Sequence, residues 1–199
     1  MPPIVDADAL VVLGGSMSCQ DDAEAPWLAP TRQLISRTVR AGTPFLGICL
    51  GHQLATVALG GQVCTSDHFC LGAAEMHLTP EGKKDPLLSV YDGHRGIHFN
   101  NDVAVVLPEE AVLLARDPTG QIEAVRFAER AWGVQFHPEC TPEIFDAWTI
   151  GHGEKEWQQR LPWSEAVTVA ETVRRDIDTV NAEEAFAARF QELIDPEKR

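Results

Sequence analysis

The sequence has little that would tie it to a membrane, a nucleic acid or a metal. No apolar run approaches the roughly 20 residues needed to span a bilayer. The opening Met1-Pro-Pro-Ile-Val-Asp6 lacks the basic region and apolar stretch of a signal peptide. Basic residues are scarce, 16 against 30 acidic, for a formal net charge of −14. The clustered Lys and Arg that grip a phosphate backbone are therefore missing, and no nucleic-acid partner is expected. The five cysteines, Cys19, Cys49, Cys64, Cys70 and Cys140, are odd in number and show no CxxC spacing. That argues against a disulfide framework or a zinc ribbon, and for reduced thiols in the cytoplasm. There is no internal repeat.

What is present suits a globular chain. The 199 residues are 44% hydrophobic, enough for one domain with a short appendage and no staple. The division expected is a main domain over 1–145 and a helical extension over 146–199 packed on it. Ala9-Leu-Val-Val-Leu13 reads as a strand buried on both faces, stopped by Gly14-Gly15. Trp27 to Arg40 has helical apolar spacing at Leu34, Ile35 and Val39. Pro44 to Ile48 is a second apolar strand, and Gly51 to Leu59 a helix stopped by Gly60-Gly61. Alternating strands and helices predict an α/β fold, a mostly parallel sheet flanked by helices. Short extended segments follow at 103–107, 111–115, 122–126 and 132–136. After Pro142 the chain turns helical. Phe186, Phe190 and Ile194 form a stripe that should pack back on the domain.

Two segments carry chemistry. Gly47-Ile-Cys49-Leu-Gly51 sets a cysteine between glycines where a strand meets a helix. This is the nucleophile-elbow arrangement with Cys in place of Ser. The glycines remove Cβ atoms that would clash in so sharp a turn. The helix N-terminus favours the thiolate form, and the Leu50 amide points where a tetrahedral oxyanion would form. A Gly-x-Cys-x-Gly alone can hold an inert buried cysteine; the second segment decides. In Gly133-Val-Gln-Phe-His137-Pro-Glu139, residues 137 and 139 face one side of a strand. A thiol needs a base, and the base an orienting carboxylate. The Leu13-Gly14-Gly15-Ser16 turn can supply a second oxyanion amide. His94 and His98 read as part of a polar loop, not a metal site.

These stretches, Leu-Gly-Gly-Ser-Met-Ser at 13–18, Pro-Phe-Leu-Gly-Ile-Cys-Leu-Gly-His-Gln-Leu at 44–54 and Gly-Val-Gln-Phe-His-Pro-Glu at 133–139, resemble the class I (triad) glutamine amidotransferases. The style is that of the GMP-synthase-like members. The resemblance implies a flavodoxin-like sheet and a triad of Cys49, His137 and Glu139. It implies Gly15 and Leu50 amides as the oxyanion hole, and Gln53 and Gly14 beside bound glutamine. It implies a γ-glutamyl thioester, no cofactor or metal, and a synthetase partner that takes the ammonia. Family members open with a strand–helix–strand unit ahead of the Gly-Gly strand, whereas seven residues precede Asp8 here. The resemblance thus implies a sheet short of that unit. Cys70 stands where the family often has Glu near the glutamine pocket. Two other readings stay open: hydrolysis of another γ-glutamyl substrate, and an inactive interaction module.

Overall fold

The structure, a computed structural model, describes residues 7–149, 163–177 and 182–195. Its frame is a six-stranded sheet in the spatial order β1-β2-β8-β7-β6-β4. These strands are β1 (Leu10–Val12), β2 (Phe45–Ile48), β4 (His77–Leu78), β6 (Val112–Arg116), β7 (Ile122–Ala128) and β8 (Ala131–Val134). The half formed by β1, β2 and β8 is parallel; β7, β6 and β4 continue it antiparallel. Beside it runs a long antiparallel ribbon of β3 (Gln62–Glu75) and β5 (Arg95–Val106).

Helices cover both faces. On one lie α1 (Leu28–Arg40) and α2 (Leu50–Ala58), whose Leu28, Ile35, Leu50 and Leu54 meet Phe45, Val125 and Phe127. On the other, Leu46, Ile48, Trp132, Val134 and Phe136 pack against Leu87, Leu88 and Tyr91. Helix α5 (Glu183–Ile194) closes that layer with Phe186 and Phe190, the stripe expected there. Burial of each such side chain contributes about 2–3 kcal/mol. Helices α3 (Pro142–Thr149) and α4 (Trp163–Asp176) pack through Phe145, Ala170 and Val173 onto Ile97 of β5. No helix among the described residues is long and apolar enough to cross a membrane.

Three expectations need correction. His137 and Glu139 do not lie on a strand: β8 ends at Val134 and the two residues follow it in a turn region. Strand β1 is not buried on both faces: Val11 is 44% exposed and the adjoining Leu13 56%. Among the described residues β1 pairs with β2 alone, so it is an edge. The segment around His98 is not a loop but the first half of β5, where His98, Asn100 and Asp102 are all buried. Trp157, which the sequence groups with Trp148 and Trp163 as core and packing surface, lies outside the described residues.

Candidate active site

Parallel register explains why three distant segments meet. Val12 pairs with Gly47, Gly47 with Gly133, and Ile48 with Val134. The carboxyl ends of β1, β2 and β8 therefore lie side by side, the place where open α/β sheets carry their sites. Gly14 follows two residues after β1, Cys49 directly after β2, and His137 three residues after β8.

Cys49 takes φ 49° and ψ −105°, the one positive φ outside glycine among the described residues. Its N–H donates to the Val134 carbonyl at 2.8 Å, and its own carbonyl accepts from Gln53 N–H at 3.0 Å to start α2. The flanking glycines are required by contact. A Cβ on Gly47 would sit 2.6 Å from the Gly51 carbonyl, and one on Gly51 2.0 Å from the Val12 carbonyl oxygen. Neither backbone group can give way, so the elbow is fixed by packing as well as by its turn.

His137 is held from both sides of its ring. Its backbone N–H donates to the Ile97 carbonyl at 2.8 Å. Its Nδ1 lies 2.8 Å from Glu139 Oε1. Nε2, buried, has no oxygen or nitrogen partner. The Trp148 indole lies against the ring, centroid to centroid 4.6 Å. Burial alone would lower the imidazole; hydrogen bonding to Cys49 and to Glu139 outweighs it and raises His137 to about 9. The Cys49 and His137 side chains approach one another at Gly14. A Cβ there would stand 3.0 Å from His137 Cε1 and 3.5 Å from Cys49 Cβ. A Cβ on Gly15 would stand 2.8 Å from the Leu50 side chain, so Gly15 lies beside the residue that follows Cys49.

A cleft opens at Cys49 in two directions. The polar branch, about 280 Å³, is lined by Ser18, Asp21, Gln53, Thr65, Asn100 and Asp102. Asp102 braces it: Oδ2 accepts from Ser18 Oγ at 2.5 Å and Oδ1 from Thr65 Oγ1 at 2.8 Å. Its carbonyl accepts from Gln53 Nε2 at 2.8 Å. Asp102 lines the branch and His98, four residues earlier, does not. Cys70 lies on β3 in register with Asn100. Sequence reasoning missed Phe99 and Trp148, which wall the cleft on both sides of Cys49. Neither sits in a motif; they arrive through the β5 ribbon and α3.

Beneath the cleft, His52 and His98 are fully buried, and burial lowers each to about 4. His98 Nε2 faces Glu123 Oε2 at 3.6 Å, and burial raises Glu123 well above its usual range. The three imidazoles therefore separate in sign. Nitrogen-detected NMR should find His52 and His98 neutral down to about pH 4, and His137 protonated up to about pH 9. An ordinary midpoint near 6.5 at all three would contradict this arrangement.

Comparison with known proteins agrees with the site. Residues 3–151 match the glutamine amidotransferase class-I family. A glutamine amidotransferase-like protein of Salmonella typhimurium is 32% identical over 161 residues, 78% of this chain and 66% of its own length. A glutamine-hydrolyzing GMP synthase subunit of Methanothermobacter thermautotrophicus is 30% identical over 139 residues, 67% of this chain and 66% of its own. The chain thus spans just under two thirds of these relatives. Among solved structures, a glutamine amidotransferase from Methylobacillus flagellatus superposes with TM-score 0.81 at 25% identity, covering 98% of this chain and 80% of that one. One from Thermotoga maritima, at 20% identity, shares the fold with TM-score 0.74, covering 93% and 78%. With the family match spanning most of its length, and an α/β sheet like theirs, the chain belongs to the class-I glutamine amidotransferases.

Proposed function

We propose that the chain hydrolyses the side-chain amide of glutamine, with Cys49 as nucleophile, His137 as base and then acid, and Glu139 as the carboxylate that orients it. The observation that carries this reading is the pinch at Gly14, where one point in space lies within 3.5 Å of both the Cys49 Cβ and the His137 ring. The His137–Glu139 contact of 2.8 Å supplies the third member.

In this reading Cys49 has already given its proton to His137 Nε2 before substrate is attacked, and the sulfur then adds to the γ-carbonyl carbon. The Gly15 and Leu50 amides receive the oxyanion. The carbon–nitrogen bond breaks as Nε2 returns the proton to nitrogen, and ammonia leaves. Water then cleaves the thioester, with His137 again accepting a proton, and releases glutamate. The polar branch, lined by Gln53, receives the amino-acid end of the substrate; Gly14, named with Gln53 from the sequence, borders the other branch. Residues 1–145 form the catalytic unit and 146–199 its helical extension. The GMP synthase proteins among the relatives motivate a synthetase partner that receives the ammonia, in the cytoplasm where the thiols stay reduced.

The test is glutamate release from glutamine, run beside labelling with a diazo-oxo analogue of glutamine. One equivalent of label, absent in Cys49→Ala, is the expected result. A folded protein that takes no label and releases no glutamate would defeat the proposal in favour of a non-catalytic interaction module.

A pH profile tests Glu139. Turnover should fall as pH rises through about 9, where His137 loses the proton it must donate. Glu139 helps to raise His137, so Glu139→Gln should move this alkaline limb to lower pH and cut kcat about 10- to 100-fold. Equal losses from Glu139→Gln and from a distant substitution such as Glu109→Gln, with the limb unmoved, would remove Glu139 from the triad.

A further inference from the structure

The second branch of the cleft has no task in the hydrolysis of glutamine itself. It opens on the His137 side of Cys49 and is lined by Leu13, Gly14, Phe99, Ile144 and Trp148 together with His137 and Glu139. Its volume is about 430 Å³, whereas a water-sized group such as ammonia needs about 15 Å³. Ser16 apart, its walls away from the triad are apolar. Leu13, one of them, is 56% exposed despite following a strand of the central sheet. An exposed leucine in a concave wall, beside Ile144 and Trp148, is surface that an apolar ligand would cover.

Chemistry says which part of a substrate would enter. The acyl carbon must reach Cys49 while the nitrogen it loses must reach the imidazole that protonates it. With the polar branch holding the amino-acid end, any substituent on the departing nitrogen extends past His137. That is the direction of the apolar branch. We propose that this branch is a leaving-group pocket, and that the enzyme also hydrolyses N-substituted γ-glutamyl amides whose amine carries an aliphatic or aromatic group. The inference rests on the reading of Cys49 and His137 given above.

The reaction balances as it does for glutamine. The sulfur–carbon bond forms, the carbon–nitrogen bond breaks, and the proton from Cys49 passes through His137 to the amine, which leaves in place of ammonia. Water then returns the thiol and frees the γ-carboxylate. No oxidant, metal or second substrate is needed.

Three substrates separate the outcomes: L-glutamine, γ-L-glutamyl-n-butylamide and γ-L-glutamylglycine, each followed by glutamate release. The expected result is a kcat/KM for the butylamide at least tenfold above that for γ-glutamylglycine, whose carboxylate meets the same apolar wall. Leu13→Ser, a change at a half-exposed position that leaves the core intact, and Ile144→Ala should each shrink this ratio at least fivefold. Hydrolysis of glutamine with the butylamide no better than γ-glutamylglycine overturns the pocket and leaves the glutaminase reading standing. A ratio unmoved in both variants overturns the assignment to this wall. No hydrolysis of any of the three, with Cys49 unlabelled, overturns both readings.

Discussion

Cys49→Ser is expected to lower glutamine turnover at least about 10³-fold, equivalent to roughly 4 kcal/mol of barrier, while leaving the fold unchanged. Serine matches cysteine in shape and inherits the same elbow, so the N–H donated to the Val134 carbonyl and the start of α2 survive. What it lacks is access to an anionic nucleophile at neutral pH. A thiol gives up its proton to a neighbouring imidazole far more readily than a hydroxyl does. Nothing near the elbow substitutes for that property: Nε2 of His137 is buried with no oxygen or nitrogen partner. Ammonia release by the purified variant, beside a thermal melt within about 2 °C of the parent (about 1 kcal/mol or less), checks both halves. Activity within tenfold of the parent would mean that another group attacks the amide.

The largest loss of stability is expected from Asp85→Ala, at about 3–5 kcal/mol, or a fall in Tm of roughly 6–15 °C. Asp85 is the most heavily engaged carboxylate beneath the sheet. Its Oδ1 accepts from the Leu87 and Leu88 amides at 2.9 and 3.0 Å and from the Trp132 indole at 3.2 Å. Its Oδ2 lies 3.3 Å from Arg126 Nε, and the side chain has no solvent exposure. One carboxylate thus ties the 3-10 turn at Leu88–Tyr91 to β8 and β7. Alanine would strand two amides and an indole N–H in the core, each without water to replace the lost partner. Arg126, about one third exposed, can turn to solvent, so Arg126→Ala should cost much less. Asp85→Asn, which keeps one acceptor, should fall between. Calorimetry of the three variants reads this order directly; an Asp85→Ala melt within 2 °C of the parent would show that the network is incidental.

The elbow was legible in the sequence because it depends on a local rule: Gly47 and Gly51 announce a turn that only glycine can flank. The His-x-Glu spacing marked the right pair for a different reason than strand alternation, since β8 ends at Val134 and the 2.8 Å contact of His137 with Glu139 forms in the turn that follows. Their meeting was legible too, since apolar strands separated by helices imply parallel order and a shared carboxyl end. The β3–β5 ribbon was not. Most of β3 is exposed or half-exposed, so no apolar period marks it. In β5 the inward positions are His98, Asn100 and Asp102, polar residues that pattern reading assigns to loops. Asp102 can be buried because Ser18, Thr65 and Gln53, brought in from elsewhere in the chain, satisfy it. Burial of a polar side chain depends on partners far along the chain, and no local window contains them. Strand β1 failed in the opposite sense: its apolar run reads as central, yet it lies at an edge.

The close, tilted contact of Trp148 with His137 gives the protein an optical reporter of that imidazole. A protonated imidazole accepts an electron from an excited indole and quenches its emission; a neutral imidazole does so far less. Light from residue 148 should therefore brighten as the neighbouring ring gives up its proton and dim as it regains one. Proton traffic at the reacting centre becomes visible in a native fluorophore, with no dye attached.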